Sequence, residues 1–546
     1  MKKNIFILAL LCVGFLSAQN DLTSEDWRSD LKFLQNTVHT DYPFLFKKTT
    51  AVDFDAKVDK LYEAIPNLAA HEIIVGLARI VSSFEYGHTS LSLRQTPVEF
   101  HRLPINLYQF NDGMYVQGAH KDYQAVLGAK LLSVEGVPVE EALKMVRPVV
   151  PAENDQYFKA FGINYLCIPE VLHAQGITKE LKTNVSMTFE LNGTRFERTI
   201  NGVAGLRVPT QYSLIQQEGE WLDARNSGDA PMYLKHLDKI YYYEYIPEKK
   251  TVYVRHSQIQ DDPSEDIPSF YTRVFDFIEK NDVENLVIDV RLNGGGNNYK
   301  NKAVITRIIE SQKINQQGNL FVIIGRRTFS ACQNLVNEMS NYTNAMFIGE
   351  ATAENINFYG DNRRVELPKS KIPAFLSFAW WQDKPQWENG DGTNPHIPID
   401  LSFNDYKTNA DPVLEAALNY GDSDLIMDPL QHFTDLFVAG KLGEIKTQAV
   451  EMANDPAYQF FDFENEFNKA AYQLLSSGQT EGAVFIFQLL TEIYPNSANA
   501  WDSLAEGYMK AGDKAKAEEY YKKAIALDPN GSVGENARNM LKQLNE

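Results

Sequence analysis

Residues 286–296 read LVIDVRLNGGG, an apolar strand that runs directly into three glycines. A strand that is apolar on both faces is typical of a buried, largely parallel sheet. The glycines leave backbone N–H groups open to an anionic oxygen, because no side chain blocks its approach. A phosphate-binding P-loop is disfavoured, since it needs Lys followed by Ser or Thr where Asn297 and Asn298 stand. The other use of such a turn is an oxyanion hole, which stabilises charge on a carbonyl oxygen.

A second apolar strand, residues 320–324, lies downstream and ends at Gly325. Helical patterns precede the first strand and follow the second, at residues 270–279 and 331–340, so helices alternate with strands as in an α/β fold. Ser330 stands between the second strand and its helix, beside the free N–H groups at the positive end of that helix. This position suits a nucleophile, and the alternative is a plain helix N-cap.

Together these motifs resemble those of the serine peptidases that include the tail-specific (C-terminal processing) proteases, the tricorn protease core and the interphotoreceptor retinoid-binding proteins. The resemblance covers roughly residues 22–400. It implies an α/β fold with a crotonase/ClpP-like catalytic core. Its motifs are the strand and glycine turn at 289–296, the TFSA segment at 328–331, the turn near Gly136 and the GTNPHIPI segment at 392–399.

The resemblance also implies a nucleophile and an oxyanion hole. Ser330 would be acylated, and the backbone N–H groups of Ala331 and of Gly294 or Gly295 would bind the oxyanion. The processing proteases of the family use a lysine shortly after the serine as the base, whereas the first lysine after Ser330 in this chain is Lys369. A serine–lysine site is therefore not expected.

His88 is the expected general base. The tricorn-like branch of the family takes a histidine from the N-terminal region, in a motif similar to Asp-Gly-His-Thr, and residues 86–89 read YGHT. A carboxylate should orient the imidazole and stabilise its charged form. The resemblance points to Glu388 for this third position, and Asp391 is the alternative.

The chain has 546 residues, so it should contain about three or four domains. Around the core we expect a helical N-terminal cap, a degenerate PDZ-like module and C-terminal all-α repeats. The predicted segments are a signal peptide (1–18), the cap with His88 (19–95), the PDZ-like module (96–150), a mixed α/β connecting part (151–245), the serine peptidase core (246–420), a helical linker (421–460) and tetratricopeptide-like repeats (461–546).

The N-terminus has the three parts of a secretory signal peptide. Residues 1–3 read MKK, residues 5–16 are all apolar, and residues 17–18 are Ser-Ala. The apolar run is too short to span a bilayer comfortably. We therefore expect an exported protein, periplasmic or extracellular, without a membrane span. An N-terminal helical anchor is the alternative.

An internal repeat is visible near the C-terminus. Its period of 34 residues is typical of tetratricopeptide helix pairs, which often bind a partner protein. The pairs at this spacing are Gly478 and Gly512, Ala483 and Ala517, Phe487 and Tyr521, and Pro495 and Pro529.

Composition and motifs argue against several other classes of protein and of binding site. The chain has 52 Lys and Arg against 72 Asp and Glu, and the net charge of −20 disfavours nonspecific binding to nucleic acid or to an anionic membrane. Three cysteines cannot form a disulfide framework or a structural zinc knuckle. His71 and Glu72 begin the zincin motif, but Val75 stands where the second histidine is required, so the pair is expected on a solvated helix face. No metal or organic cofactor is implied.

The sequence thus predicts an exported serine peptidase. It would hydrolyse peptide bonds in a peptide or protein substrate through an acyl-enzyme on Ser330, with His88 as the base. Two alternatives remain. A non-catalytic relative would bind a ligand in its cleft, and a scaffold would act through the repeats and their partner protein.

Overall fold

A computed structural model describes residues 22–422 and 425–545 of the chain. The predicted signal peptide lies outside these residues. Among the residues described, no helix is both long and apolar enough to cross a membrane. The α-helices in chain order are α1 (Ser24–Asp41), α2 (Ala51–Ala64), α3 (Ala70–Ser82), α4 (Val139–Val146), α5 (Asp155–Tyr157), α6 (Pro169–Ala174), α7 (Ile267–Lys280), α8 (Asn301–Glu310), α9 (Ala331–Tyr342), α10 (Phe403–Thr408), α11 (Pro412–Leu418), α12 (Pro429–Val438), α13 (Leu442–Ala453), α14 (Phe463–Ser476), α15 (Thr480–Ile493), α16 (Ala498–Ala511), α17 (Lys514–Leu527) and α18 (Ser532–Asn545).

Helices and strands alternate over much of the chain, and the fold is mixed α/β as predicted. The strands in chain order are β1 (Ser90–Leu91), β2 (His101–Arg102), β3 (Ile105–Phe110), β4 (Gly113–His120), β5 (Lys130–Val134), β6 (Val137–Pro138), β7 (Asn184–Leu191), β8 (Thr194–Asn201), β9 (Val203–Ala204), β10 (Thr210–Gln211), β11 (Leu214–Ile215), β12 (Trp221–Asp223), β13 (Tyr241–Ile246), β14 (Thr251–His256), β15 (Asn285–Asp289), β16 (Leu320–Ile324), β17 (Met346–Gly349), β18 (Phe358–Glu366), β19 (Pro373–Trp381) and β20 (Ile397–Pro398).

The first of two compact units comprises residues up to 109, 113–224 and 357–382. Helices α1 to α3 form its N-terminal part, and α1 buries one apolar stripe at helical spacing. A seven-stranded sheet runs in the order β12-β4-β5-β7-β8, with β3 beside β4 and β6 beside β5. This sheet includes strands well beyond residue 150, so it is larger than the segment predicted as PDZ-like. Strands β1, β19 and β18 form a separate sheet.

The second unit comprises residues 110–112, 225–356 and 383 onward. Its six-stranded sheet has the order β13-β14-β15-β16-β17-β20 and is parallel except for β13. Helices α7, α8 and α9 pack on one face and α11 on the other. Because both faces are buried, β16 is apolar throughout and β15 is apolar at its three central residues, in accord with the largely apolar strands that the sequence predicted. Val287 of β15 lies opposite Phe321 of β16, so these strands end side by side.

Helices α12 to α18 share one hydrophobic core in the second unit. The helices α12 and α13, which lie in the predicted linker, contribute Phe433, Ile445 and Ala449 to that core. They are therefore packed members of the helical array. At the end of α16, Gly512 adopts the left-handed conformation that closes the helix, with φ of +83°.

His256 makes the stability of the second unit depend on pH. Its ring is fully buried at the end of β14, with Nδ1 3.0 Å from the Tyr271 hydroxyl, and burial lowers its pKa to about 4. Between that value and the unfolded pKa of about 6.5, the unfolded chain binds a proton and the folded chain does not. The free energy of unfolding therefore falls as pH drops from about 6.5 toward 4, by up to about 3 kcal/mol for this ring.

Urea unfolding of the wild type and of His256→Gln, near neutral pH and near pH 5, measures this contribution. We expect the variant to be less stable at neutral pH, because it loses a buried hydrogen bond, but to lose less stability on acidification. Parallel pH profiles of the two proteins would contradict the assignment.

Candidate active site

Ser330 stands directly before the first turn of α9, at the N-cap position, in a strained conformation. Its φ of 57° and ψ of −131° lie in a region that residues with side chains seldom adopt, at a cost of about 1–3 kcal/mol. Strain of this kind is typical of a nucleophile at a sharp strand-to-helix turn. The Ser330 side chain makes no capping hydrogen bond to α9, so the structure does not favour the N-cap alternative.

The glycine turn after β15 packs directly against Ser330. Gly295 has φ of +101°, and a Cβ there would lie 2.6 Å from the Ser330 Cβ, 2.8 Å from the Phe329 carbonyl oxygen and 3.0 Å from the Ala331 nitrogen. Only glycine fits this contact. The turn and Ser330 are thus brought together within the second unit.

Asn293 holds this turn in place. It is fully buried, its Nδ2 donates to the His256 carbonyl at 2.9 Å, and its Oδ1 accepts the Gly295 N–H at 2.9 Å. The Gly295 N–H therefore already has an acceptor. Of the two glycines predicted as oxyanion donors, the exposed Gly294 is the better candidate.

Substitution of the two glycines should separate their roles. Gly295→Ala should abolish reaction of Ser330 with a fluorophosphonate, because the added methyl group clashes with the serine and φ is positive. Gly294→Ala is the matched control. The nearest atom to its Cβ is 3.8 Å away, so the fold and most of the reaction should be retained. Equal labelling of both variants, measured by in-gel fluorescence, would contradict this account.

Glu354 supports the Ser330 backbone. It is fully buried, and its Oε2 accepts the Ser330 N–H at 2.7 Å. The segment 349–355, in which a serine–lysine site was not expected, supplies this glutamate instead. Sequence reasoning missed Glu354 because its contact with Ser330 joins residues 24 positions apart.

Thr328 ties the two strand ends together at this edge of the sheet. Its hydroxyl donates to the Val290 carbonyl at 3.1 Å and accepts the Gly325 N–H at 3.0 Å. The Thr328 carbonyl accepts the Ala353 N–H at 3.0 Å. The loop that carries Ser330 is therefore anchored to both neighbouring segments.

His88 belongs to the first unit, in the loop between α3 and β1. Its ring stacks on Phe358, with centroids 6.2 Å apart. The neighbouring Thr89 is fully buried, and its hydroxyl lies 2.8 Å from that of Ser377. Burial lowers the pKa of His88 to about 4, so the ring is neutral at pH 7 and able to accept a proton.

Glu153 is a carboxylate beside His88 that the sequence did not reveal. It is 5% exposed, its Oε1 accepts the Gly87 N–H at 2.7 Å, and a carboxylate oxygen lies within 4.8 Å of a His88 ring nitrogen. The Tyr157 hydroxyl donates to the Gly87 carbonyl at 3.0 Å. A buried acid so placed can stabilise a positive imidazole.

The two carboxylates predicted for the third position lie in the second unit. Glu388 is the last residue of a short 3₁₀ turn (Gln386–Glu388), is exposed, and lies 3.6 Å from Lys384. Asp391 is exposed as well. Their role as the third residue stays a prediction.

Comparison with solved structures places these features in a known fold. Mature CPAF is 12% identical, with a TM-score of 0.51 over 74% of this chain and 99% of that chain. CPAF complexed with lactacystin is 14% identical, with a TM-score of 0.50 over 73% and 97%. The chain has the fold of the tail-specific serine peptidase family. The family predicted from the motifs is thus confirmed at the level of the fold.

The remaining comparisons concern the C-terminus and the whole sequence. Residues 498–530 match the tetratricopeptide repeat family, which confirms the predicted repeat. No curated protein matches the sequence significantly. The identities to the solved structures are low, so the peptidase fold is what they show.

Proposed function

We propose that the protein is an exported serine peptidase that hydrolyses peptide bonds through an acyl-enzyme on Ser330. The observation that carries this proposal is the strained Ser330 turn, packed against a glycine that no other residue can replace. A strained serine beside backbone N–H groups is an arrangement that suits acyl transfer. The peptidase fold of the chain supports the same reaction class.

His88 is proposed as the general base. It takes the hydroxyl proton as the Ser330 oxygen attacks the carbonyl carbon, and it later gives that proton to the leaving amine. The N–H groups of Gly294 and Ala331 stabilise the oxyanion. A water molecule, deprotonated by His88, then attacks the acyl carbon. The bond from that carbon to the Ser330 oxygen breaks, His88 returns the proton to this oxygen, and the second product leaves.

Glu153 is proposed to support His88 during this proton transfer. A ring with a pKa of about 4 is a weak base, and a nearby carboxylate stabilises the positive imidazole as it forms. Glu388 is the alternative for this role. The buried position of Glu153 favours it, since a shielded charge acts more strongly than an exposed one.

Substrate and partner would engage other parts of the chain. We propose that the catalytic core is crotonase/ClpP-like and that the PDZ-like segment at 96–150 holds an extended peptide. The tetratricopeptide helices would recruit a protein partner. Neither activity requires a cofactor.

A fluorophosphonate probe tests the proposal. We expect the wild type to be labelled, with the adduct mapped to Ser330 by peptide mass spectrometry, and the rate of labelling to fall at least about 1000-fold in His88→Gln. His39→Gln, a surface histidine in the same unit, is the control. Failure of the probe to label the wild type would favour a non-catalytic ligand-binding protein instead. A larger effect of Glu153→Gln than of Glu388→Gln would identify the third residue.

A further inference from the structure

Three side chains of the first unit converge where α3 packs against α6. His71 and Glu72 lie in the first turn of α3, and His173 lies on α6. The His71 Nε2 is 2.8 Å from the His173 Nδ1, which is 3.9 Å from a Glu72 carboxylate oxygen. All three atoms lie within 4.8 Å of one another. The solvated helix face predicted for His71 is wrong, because that residue is only 7% exposed.

These spacings suit ligands of one small metal ion. In a tetrahedral zinc site with Zn–N distances of about 2.0–2.1 Å, neighbouring ligand atoms lie about 3.3 Å apart. The two short distances observed, 2.8 Å and 3.9 Å, lie on either side of that value. A direct hydrogen bond between the two rings also explains the distance of 2.8 Å. Titration with a metal ion distinguishes such a hydrogen bond from a metal site.

The carboxylate of Glu72 is already held in a ligating orientation. Its Oε2 accepts the Ala69 N–H at 2.8 Å and so caps α3. The other oxygen is then directed at His173. The side chains of Glu72 and His173 are 24% and 17% exposed, which leaves a path for an ion from solvent.

The surroundings favour a positive charge at this point. Glu170, 3% exposed and one turn before His173 on α6, places a buried carboxylate near this cluster. Its two oxygens accept hydrogen bonds from the backbone N–H and the Nδ1 of His101.

We propose that His71, Glu72 and His173 bind one divalent transition metal ion, with Zn²⁺ as the best match and water at the remaining position. Two imidazoles and one carboxylate are donors that zinc accepts, whereas magnesium and calcium prefer oxygen ligands alone. The ion would join the start of α3 to α6. Nothing in this proposal depends on the peptidase activity.

Titration of the tag-free, chelator-treated protein with Co²⁺ and then Zn²⁺ tests the site. We expect one Co²⁺ per chain, with ligand-field absorption in the visible range that Zn²⁺ abolishes. His71→Ala and His173→Ala should each weaken binding at least about tenfold, while His39→Ala, a histidine paired with Asp55, should not. A wild type that binds no ion, or a double variant of His71 and His173 that binds as the wild type does, would overturn the proposal.

Glu72→Gln provides a variant that should fold normally, because glutamine can also cap the helix. We expect it to keep the thermal midpoint of the metal-free protein and to weaken Co²⁺ binding at least about tenfold. Unchanged affinity and an unchanged spectrum in Glu72→Gln would show that the site as proposed is wrong.

Discussion

Ser330→Ala should abolish hydrolysis of peptide substrates. Removal of the nucleophile of a serine peptidase lowers kcat by about five to six orders of magnitude, so the remaining activity should be indistinguishable from background. The measurement is cleavage of a mixed peptide library by the purified variant beside the wild type, followed by mass spectrometry. Loss of the fluorophosphonate adduct should accompany loss of cleavage.

Ser402→Ala is the matched control, because Ser402 is a true helix cap. Its side chain accepts the Asp405 N–H at 3.1 Å, so its loss should cost about 1 kcal/mol of stability and no activity. Ser330→Ala should show the opposite pattern, a loss of activity with little loss of stability, because the Ser330 side chain makes no capping hydrogen bond to α9. Cleavage retained in Ser330→Ala would assign the reaction to another group.

Arg291→Met should destabilise the second unit strongly. Arg291 is almost fully buried between Asp289 and Asp411, with contacts of 2.8 Å and 2.9 Å. Its guanidinium also lies 4.5 Å from the ring centroid of Tyr233. Removing the guanidinium leaves two buried carboxylates without their counter-charge, at a cost of about 3–5 kcal/mol. Urea unfolding at neutral pH measures the loss.

Arg273→Met is the control for this variant. Arg273 pairs with Glu265 at 2.5 Å on an exposed helix surface, and such a pair contributes at most about 1 kcal/mol. We also expect Arg291→Met/Asp411→Asn to recover part of the lost stability, because one buried charge is then removed. Equal effects of Arg291→Met and Arg273→Met would show that the buried cluster is not the source of the stability.

Local sequence patterns were sufficient to predict the strands and the helix that carry the candidate site. The strands β15 and β16 follow from apolar runs, because a strand buried on both faces needs no polar alternation. The start of α9 directly after Ser330 follows from a strand, a turn and then helical spacing. The 34-residue period similarly identifies the helices near the C-terminus, since each helix pair repeats its packing residues.

The roles of individual side chains were decided by tertiary structure. The ring of His71 and its partner His173 are 102 residues apart, and Arg291 and Asp411 are 120 apart. No periodicity within one helix or strand can report such pairs, because each is formed by the packing of separate elements. The contacts of Glu354 with Ser330 and of Glu153 with Gly87 also join separate segments, so the sequence did not predict them.

The sequence by itself determined the α/β core, the position of the serine turn and the helical repeats, because each depends on interactions between residues close in the chain. The tertiary structure alone decided that Ser330 is strained, that Gly295 has no room for a side chain and that buried acids lie beside Ser330 and His88. These properties depend on burial and on contacts between distant segments, which exist only after the chain has folded.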